Sequence, residues 1–164
     1  MDTKQLIDQY AAYDLWANTR AVDRLSRESE GTLDSHVKSS FPSLRATLLH
    51  IRDAEAAWHA RLIGVPQKWP AEADNSIGTL IKHCTFMRDH VHALRLEDLE
   101  KSVTYKDLRG NDHSGLPIQM LMHCFNHASY HRGQVVTIMR QLDLADIPPF
   151  DLVVYQRLVM KGEV

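Results

Sequence analysis

The strongest signal of the fold is the stretch His123-Cys124-Phe125-Asn126-His127-Ala128-Ser129-Tyr130-His131-Arg132-Gly133-Gln134. It carries three of the ten histidines at four-residue spacing. A helical residue advances by about 100°, so a four-residue step drifts by only about 40°. The three imidazoles therefore lie along one side of a helix on successive turns. Stacked imidazoles are costly unless each finds a partner, and a divalent metal ion is a good partner. The stretch predicts a helix with a metal-binding side.

The composition of the whole chain is that of an ordinary globular protein. It has 164 residues, of which 44% are hydrophobic and 24% charged, with a formal net charge of −2. This length suits one domain with a sizeable core, so we expect a single domain over residues 1–164. The slight negative charge argues against nucleic acid as a partner, since nucleic-acid binding needs a basic face.

Membrane and secretion signals are not expected from this sequence. No apolar run approaches the roughly 20 residues of a membrane span. The residues after Met1 lack the long apolar run of a secretion signal. The two cysteines, Cys84 and Cys124, form no CxxC motif and are expected to be free thiols. These features predict a cytoplasmic protein in a reducing setting.

Three further amphipathic helices surround the histidine stretch. Apolar residues at helical spacing predict a first helix over Thr3–Leu25. A second helix should begin near Phe41-Pro42-Ser43, with the proline in its first turn, and stop before Gly64. The third should run from Ile77 until it fades by about Asp98. Pro117 opens the fourth helix, which carries the histidines to about Leu142.

Shorter segments complete the expected fold. The polar stretch from Ser26 to Ser40 is typical of a connection, and Lys101 to Leu116 alternates weakly around a turn, which favours a short hairpin. Asp151 is placed to cap a short C-terminal helix. We therefore predict an all-α fold, an antiparallel four-helix bundle with a short hairpin or loop before the last long helix and a short C-terminal helix.

Spacing limits which histidines can share one ion. His123 and His131 lie about 12 Å apart along the axis, too far for one ion whose bonds to nitrogen are about 2.0–2.1 Å. Adjacent pairs are close enough, which leaves His123 with His127 or His127 with His131 as alternatives. A third ligand can come from a neighbouring helix. His50 is the best candidate, since it lies mid-helix at the edge of the second apolar stripe.

Several other polar residues lie at informative positions. Glu55 falls inside the second apolar stripe and must be paired or hydrogen-bonded if buried. Gly133 costs about 1 kcal/mol in a helix, which predicts close approach of another helix. Arg132 and Gln134 either orient a ligand or are ordinary surface side chains, and Cys124 is expected in the core. No site role is predicted for the remaining histidines, which are His36, His59, His83, His90, His92 and His113.

Other classes of metal site fit this sequence less well. A ferritin-like di-iron site needs Glu-x-x-His on two helices, and this pattern is absent from the chain. The HExxH pattern of zinc proteases is also absent. A structural zinc site would need closely spaced cysteines. A site built from histidines on two helices therefore remains the leading interpretation.

Four motifs together resemble one known family. Tyr13-Asp14-Leu15-Trp16-Ala17-Asn18 is similar to the first-helix signature of the DinB-like damage-inducible proteins. His50, followed by Glu55 and Trp58, resembles their second-helix histidine motif. His127 to Gln134 matches HxxxHRGQ, the most specific motif of the family. The closing Pro148-Pro149-Phe150-Asp151 resembles its C-terminal segment.

The resemblance implies a site and an assembly. It implies a four-helix bundle that holds one divalent ion, zinc or nickel, with His50, His127 and His131, while His123 is not expected to bind the ion. It also implies a homodimer, which the aromatic residues Tyr10, Tyr13 and Trp16 of the first helix favour. Members of the family include thiol-dependent S-transferases and a thiol-dependent isomerase, and many have no assigned activity.

Two functional hypotheses follow from these observations. The first is a metal-dependent enzyme that transfers a low-molecular-weight thiol to a small electrophile, with Glu55 as a partner of the ligands and no identifiable general base. A hydrolase is a related alternative, because an open metal site can also activate water. The second hypothesis is a non-catalytic, stress-induced protein that binds or sequesters metal. The expected partners are therefore small molecules.

Overall fold

Seven helices and one two-stranded sheet form the computed structural model, which describes residues 1–164. The elements are α1 (Thr3–Leu25), α2 (Glu30–Leu33), α3 (Leu44–Leu62), α4 (Thr79–Ala93), α5 (Leu96–Leu99), β1 (Val103–Lys106), β2 (Asp112–Gly115), α6 (Pro117–Gln141) and α7 (Leu152–Lys161).

The four long helices pack against one another as a bundle. α3 packs against α4 and α6, and α1 packs against the same two helices. Each contributes fully buried apolar side chains to the core, among them Ala21, Leu48, Leu80 and Val135. The predicted helical bundle is confirmed, while the antiparallel order of its four helices stays a prediction. No helix combines the length and the hydropathy that crossing a bilayer requires.

Local hydrogen bonds explain where the first two long helices begin. Asp2 and Gln5 form a reciprocal capping box before α1, with the Gln5 amide donating to Asp2 Oδ1 at 2.8 Å. The prediction that Pro42 lies in the first turn of the second helix is wrong. Ser43 is the N-cap of α3, and its Oγ accepts from the Ala46 amide at 3.1 Å. Pro42 therefore precedes the helix.

Other boundaries also differ from the sequence prediction. The predicted connection from Ser26 to Ser40 contains the short helix α2, because Ser29 caps the amide of Thr32. The predicted third helix is two helices, since α4 ends at Ala93 and α5 begins three residues later. Asp151 is the N-cap residue of α7, but its side chain makes no capping hydrogen bond.

The predicted hairpin before the last long helix is confirmed. β1 and β2 pair antiparallel, with Val103 opposite Gly115 and Lys106 opposite Asp112. β1 packs on α3, and the ring of Tyr105 contacts that of Trp58 edge-on, with centroids 5.9 Å apart. The hairpin therefore forms a wall beside the C-terminal half of α3.

Candidate metal centre

Three imidazoles converge between α3 and α6. His50 comes from the middle of α3, and His127 and His131 come from successive turns of α6. His127 Nε2 lies 3.0 Å from His50 Nε2 and 3.1 Å from His131 Nε2. Of the two pairs that spacing left open on α6, His127 with His131 is the pair that meets His50.

The spacing of these nitrogens fits a single ion. Two nitrogens that bind one zinc-like ion at about 2.0–2.1 Å, with tetrahedral or octahedral angles, lie roughly 2.9–3.4 Å apart. The two observed distances, 3.0 and 3.1 Å, fall in that range. The three side chains also supply the chemistry that zinc and nickel prefer, because all three present an imidazole nitrogen to the same point.

Electrostatics keep two of these imidazoles, His50 and His127, neutral. Burial, together with the neighbouring imidazoles, lowers the pKa of each to about 4. A histidine must be neutral to bind a metal ion, because only then does its nitrogen offer a lone pair. Both side chains are therefore ready to bind a cation at neutral pH.

Gln134 orients His131. The Nδ1–H of His131 donates to Gln134 Oε1 at 2.9 Å, which leaves the lone pair of Nε2 aimed at the other histidines. Gln134 Nε2 in turn donates to Ser40 Oγ at 2.8 Å, which ties α6 to the segment before α3. Such a partner fixes the tautomer and the ring direction of a metal ligand. The interpretation of Gln134 as an ordinary surface amide is therefore wrong.

Two aromatic side chains line the site. Phe41 stacks on His50 with ring centroids 4.1 Å apart and meets His131 edge-on at 5.4 Å. Trp69, from the loop after α3, meets His50 edge-on at 5.7 Å. Asp53 holds this loop through its Oδ1, which accepts from the Ala71 amide at 3.0 Å. The contacts of Phe41 and Trp69 therefore restrict the orientation of the His50 ring.

Exposure decreases along the histidine series from His123 to His131. His123 is exposed, His127 is half-buried, and His131 is only 6% exposed. The His123 ring stacks on His127 at 6.2 Å and contacts Trp58 at 4.9 Å, but it stays outside the group of three converging nitrogens. Because His50 is also half-buried, two of the three converging side chains are partly exposed to solvent.

A second group of side chains with ligand atoms close together lies in the core. Asp14, Glu55 and Cys84 place one oxygen or sulfur atom each within 4.8 Å of the others, and all three are at most 2% exposed. Glu55 was expected to support the metal ligands, and this expectation is wrong. Its pKa is raised well above the ordinary value by burial and by Asp14, with which it shares the cluster.

Arg132 neutralises this buried cluster. Its Nη1 donates to Asp14 Oδ1 at 2.5 Å and to Asn18 Oδ1 at 3.1 Å, and its Nη2 donates to Ser129 Oγ at 2.8 Å. Burial opposes the charge, but Asp14 holds the pKa of Arg132 above its ordinary value. Neither sequence interpretation of Arg132 holds, since it is neither a ligand-orienting group nor a surface side chain.

The glycine of the same motif does not have the predicted packing role. Gly133 is exposed, and no heavy atom lies within 4 Å of the position that a Cβ would occupy. The expectation that another helix approaches closely there is wrong. Cys124 is buried in the core, as predicted.

The remaining histidines form separate contacts. His83 Nε2 lies 3.1 Å from Glu72, His113 Nε2 lies 3.1 Å from Asp107, and the ring of His59 meets that of His90 at 5.3 Å. None of them reaches the three converging nitrogens.

Comparison with known proteins identifies relatives of this chain. The model of the DinB family matches residues 1–159. The chain is also similar to Protein DinB of Bacillus subtilis (strain 168), with 22% identity over 157 residues. That alignment covers 83% of this chain and 86% of the relative.

Proposed function

This chain belongs to the DinB family, and we propose that it binds one divalent metal ion and acts as a metal-dependent enzyme of the thiol S-transferase type on small electrophiles. One observation carries the proposal, which is the convergence of three imidazoles whose close nitrogen–nitrogen distances fit one ion. The proposed ligands are His50, His127 and His131, and the proposed ion is zinc or nickel.

The number of ligands favours catalysis over a structural role. Structural zinc sites are closed by four protein ligands, whereas catalytic sites keep a position for water or substrate. Three histidines form the group, and no carboxylate or thiol joins them. A divalent ion held there supplies Lewis acidity that lowers the pKa of a bound thiol or water.

The protein's own residues position and shield this site. Gln134 fixes the tautomer of His131, so its Nε2 lone pair stays directed into the cleft. Phe41 covers one face of the His50 ring and thereby limits the approach of water from that side. These side chains bind and orient, and we assign no general base.

The second candidate is a non-catalytic, stress-induced protein that binds or sequesters metal. One observation favours it. The only side chain outside the triad that hydrogen-bonds to it is the neutral Gln134, so no acid or base outside the triad is hydrogen-bonded to the proposed ligands. A sequestering protein needs the ligands alone, whereas an enzyme must also bind and turn over a substrate.

Cobalt substitution separates the two candidates. We expect a low-molecular-weight thiol to produce a sulfur-to-cobalt charge-transfer band, because a coordinating thiol is deprotonated. His131→Ala should abolish the band and His123→Ala should retain it. We also expect metal-dependent and thiol-dependent turnover of a haloarene or an epoxide. Absence of both the band and turnover across several cellular thiols and electrophiles would contradict the enzyme and leave metal sequestration as the function.

A two-fold homodimer is also part of this proposal. The aromatic residues that favoured it pack within the chain, since Tyr13 contacts Tyr10, Trp16 and Tyr155. Exposed side chains on α6, Met122 at 56% and Tyr130 at 64%, now support it instead. Light scattering that gives the mass of a single chain at high concentration would contradict the dimer.

A further inference from the structure

A cavity of about 690 Å³ lies between the C-terminal end of α3, the loop that follows it and the hairpin. Ligand pockets for small molecules commonly enclose about 300–1,000 Å³. The residues that line the cavity include Arg61, Gln67, Trp69, Tyr105, Lys106 and Asp107.

Arg61 is a cation without an anionic partner. Its side chain makes no hydrogen bond and no ion pair, and its Nε is buried without a partner. The guanidinium lies over the ring of Trp58 at 4.3 Å and 5.5 Å from the centroid of Tyr105. Burial lowers the pKa of Arg61, with Tyr105 and Asp107 opposing that effect. The two rings hold the guanidinium in place while its N–H groups stay free to donate.

The other charges that line the cavity are already engaged. Lys106 Nζ pairs with Asp112 at 2.6 Å. Asp107 accepts from the Arg109 and Asn111 amides and lies 3.1 Å from His113 Nε2, so its carboxylate stabilises the hairpin turn. Arg61 is therefore the one charged group of the cavity wall that no neighbour pairs.

Gln67 leaves a second polar atom without a partner in the same cavity. Its Nε2 donates to the Lys106 carbonyl at 3.1 Å, which fixes the amide, while its Oε1 is buried and accepts from no group. Buried polar atoms in folded proteins normally have partners, so each exception needs an explanation. Arg61 and Gln67 thus leave one donor and one acceptor without a partner among the side chains that line the cavity.

The cavity and the histidine site share one side chain, Trp69, although none of the three histidines lines the cavity. Trp69 lines it and also contacts the His50 ring. Arg61 lies eleven residues after His50 on α3, which places both on one face of the helix, about 20° apart. The guanidinium lies over Trp58, about 12 Å along the axis from His50.

We propose that this cavity binds the carboxylate of an elongated small molecule whose other end reaches the three histidines, with Arg61 as the anion anchor. Gln67 Oε1 accepts an N–H or O–H of the same molecule. The reach to the histidines rests on the proposed function, whereas the carboxylate anchor does not require it. The substrate or thiol that binds there is therefore an anionic, elongated molecule.

Isothermal titration of the zinc-loaded full-length protein tests the anchor. The probe is ω-mercaptooctanoate, and the matched neutral probe is ω-mercaptooctanol. Hydrogen bonds to charged groups contribute about 1.5–3 kcal/mol, so Arg61→Gln should weaken binding of the acid at least tenfold. Binding of the alcohol should stay unchanged. Arg61→Lys should lose part of the affinity, because a lysine cannot form the bidentate pair.

Arg20 offers a matched control. It also lies over a tryptophan, Trp16, at 5.0 Å and has a buried Nε without a partner, but it does not line the cavity. Arg20→Gln should leave the affinity for the acid unchanged. Thermal melts of both variants report whether either change disturbs the fold.

Two results would overturn the anchor. One is equal affinity of the wild-type protein for the acid and the alcohol, and the other is unchanged affinity for the acid in folded Arg61→Gln. An affinity for the acid that depends on Arg61 but is unchanged when the metal is removed would support the anchor and contradict binding of the thiol at the histidines. Failure of the carboxylate anchor and failure of thiol binding at the histidines therefore give different titration results.

Discussion

The two clusters of potential ligands in this bundle differ in charge, exposure and pairing. His50 and His127 are neutral at pH 7 and half-buried, His131 is buried, and the Nε2 atoms of the three converge with no cationic side chain hydrogen-bonded to them. Asp14 and Glu55 lie in the core beside Cys84, and the guanidinium of Arg132 already supplies their cation. Both clusters bring three ligand atoms close together, but only the second contains a cationic side chain.

This difference shows that proximity of ligand atoms does not define a metal site. A buried carboxylate cluster with an internal arginine is electrostatically satisfied, and a further cation would face repulsion from the guanidinium. The HRGQ motif divides between the two clusters. His131 and Gln134 belong to the histidine site, and Arg132 belongs to the buried cluster. One sequence motif thus contributes different residues to two separate clusters.

The largest expected effect comes from removing the cation of the buried cluster. Arg132→Met leaves Asp14 buried without its partner, which should lower the free energy of unfolding by about 3–5 kcal/mol. Denaturant unfolding of the metal-free protein measures this. Arg140→Met, at an exposed position of the same helix, is the control and should change stability by less than about 0.5 kcal/mol. Similar free energies of unfolding for the two variants would contradict a stabilising role of the buried cluster.

The histidine site should respond to substitution in its metal content. His127→Ala removes the nitrogen shared by both close contacts, so bound metal should fall at least tenfold. His123→Ala should retain most of the metal, because its ring lies outside the converging group. Elemental analysis of the purified variants decides, and full metal content in His127→Ala would contradict the site.

Acidification should distinguish the clusters further. Protons compete with the metal for the imidazoles, and an ordinary histidine pKa of about 6.5 would place the onset of metal loss near that pH. Because burial lowers the pKa of His50 and His127 to about 4, we expect metal to be retained through pH 6 and lost near pH 4. Equilibrium dialysis across this range measures retention. Glu55→Gln should release metal at the same pH, and a shift in that variant would link the two clusters.

The smallest expected effect concerns the residue of the motif that belongs to neither cluster. Gly133 is exposed, with open space where a Cβ would lie. Gly133→Ala should therefore raise the free energy of unfolding by about 0.5–1 kcal/mol through helix propensity, with unchanged metal content. Denaturant unfolding checks the sign. A destabilised variant would show that another surface covers this position in the folded protein.

The sequence predicted the features that follow from local periodicity. The four-residue spacing of the histidines predicted the helix that carries them, which is α6, and the bounds of α1 match those predicted. The pairing of Arg132 with Asp14 joins residues 118 positions apart, so no local pattern reveals it. Asp14 and Glu55 each stand out as a carboxylate among apolar residues, and the burial of Arg132 becomes visible only when their helices are packed.

Helix ends and glycine were less predictable for physical reasons. α2 and α5 have four residues each, too few to show a helical period. A serine cap, rather than Pro42, determines where α3 begins. Gly133 was misinterpreted because the cost of a helical glycine does not specify what compensates for it.

X-ray absorption spectroscopy of the zinc-loaded protein, without added thiol, shows directly whether the three histidines bind the ion. The histidine site predicts nitrogen and oxygen scatterers only, with the multiple-scattering pattern of about three imidazoles at about 2.0–2.1 Å. A sulfur scatterer at about 2.3 Å would place the ion beside Cys84 in the buried cluster and contradict binding by the three histidines.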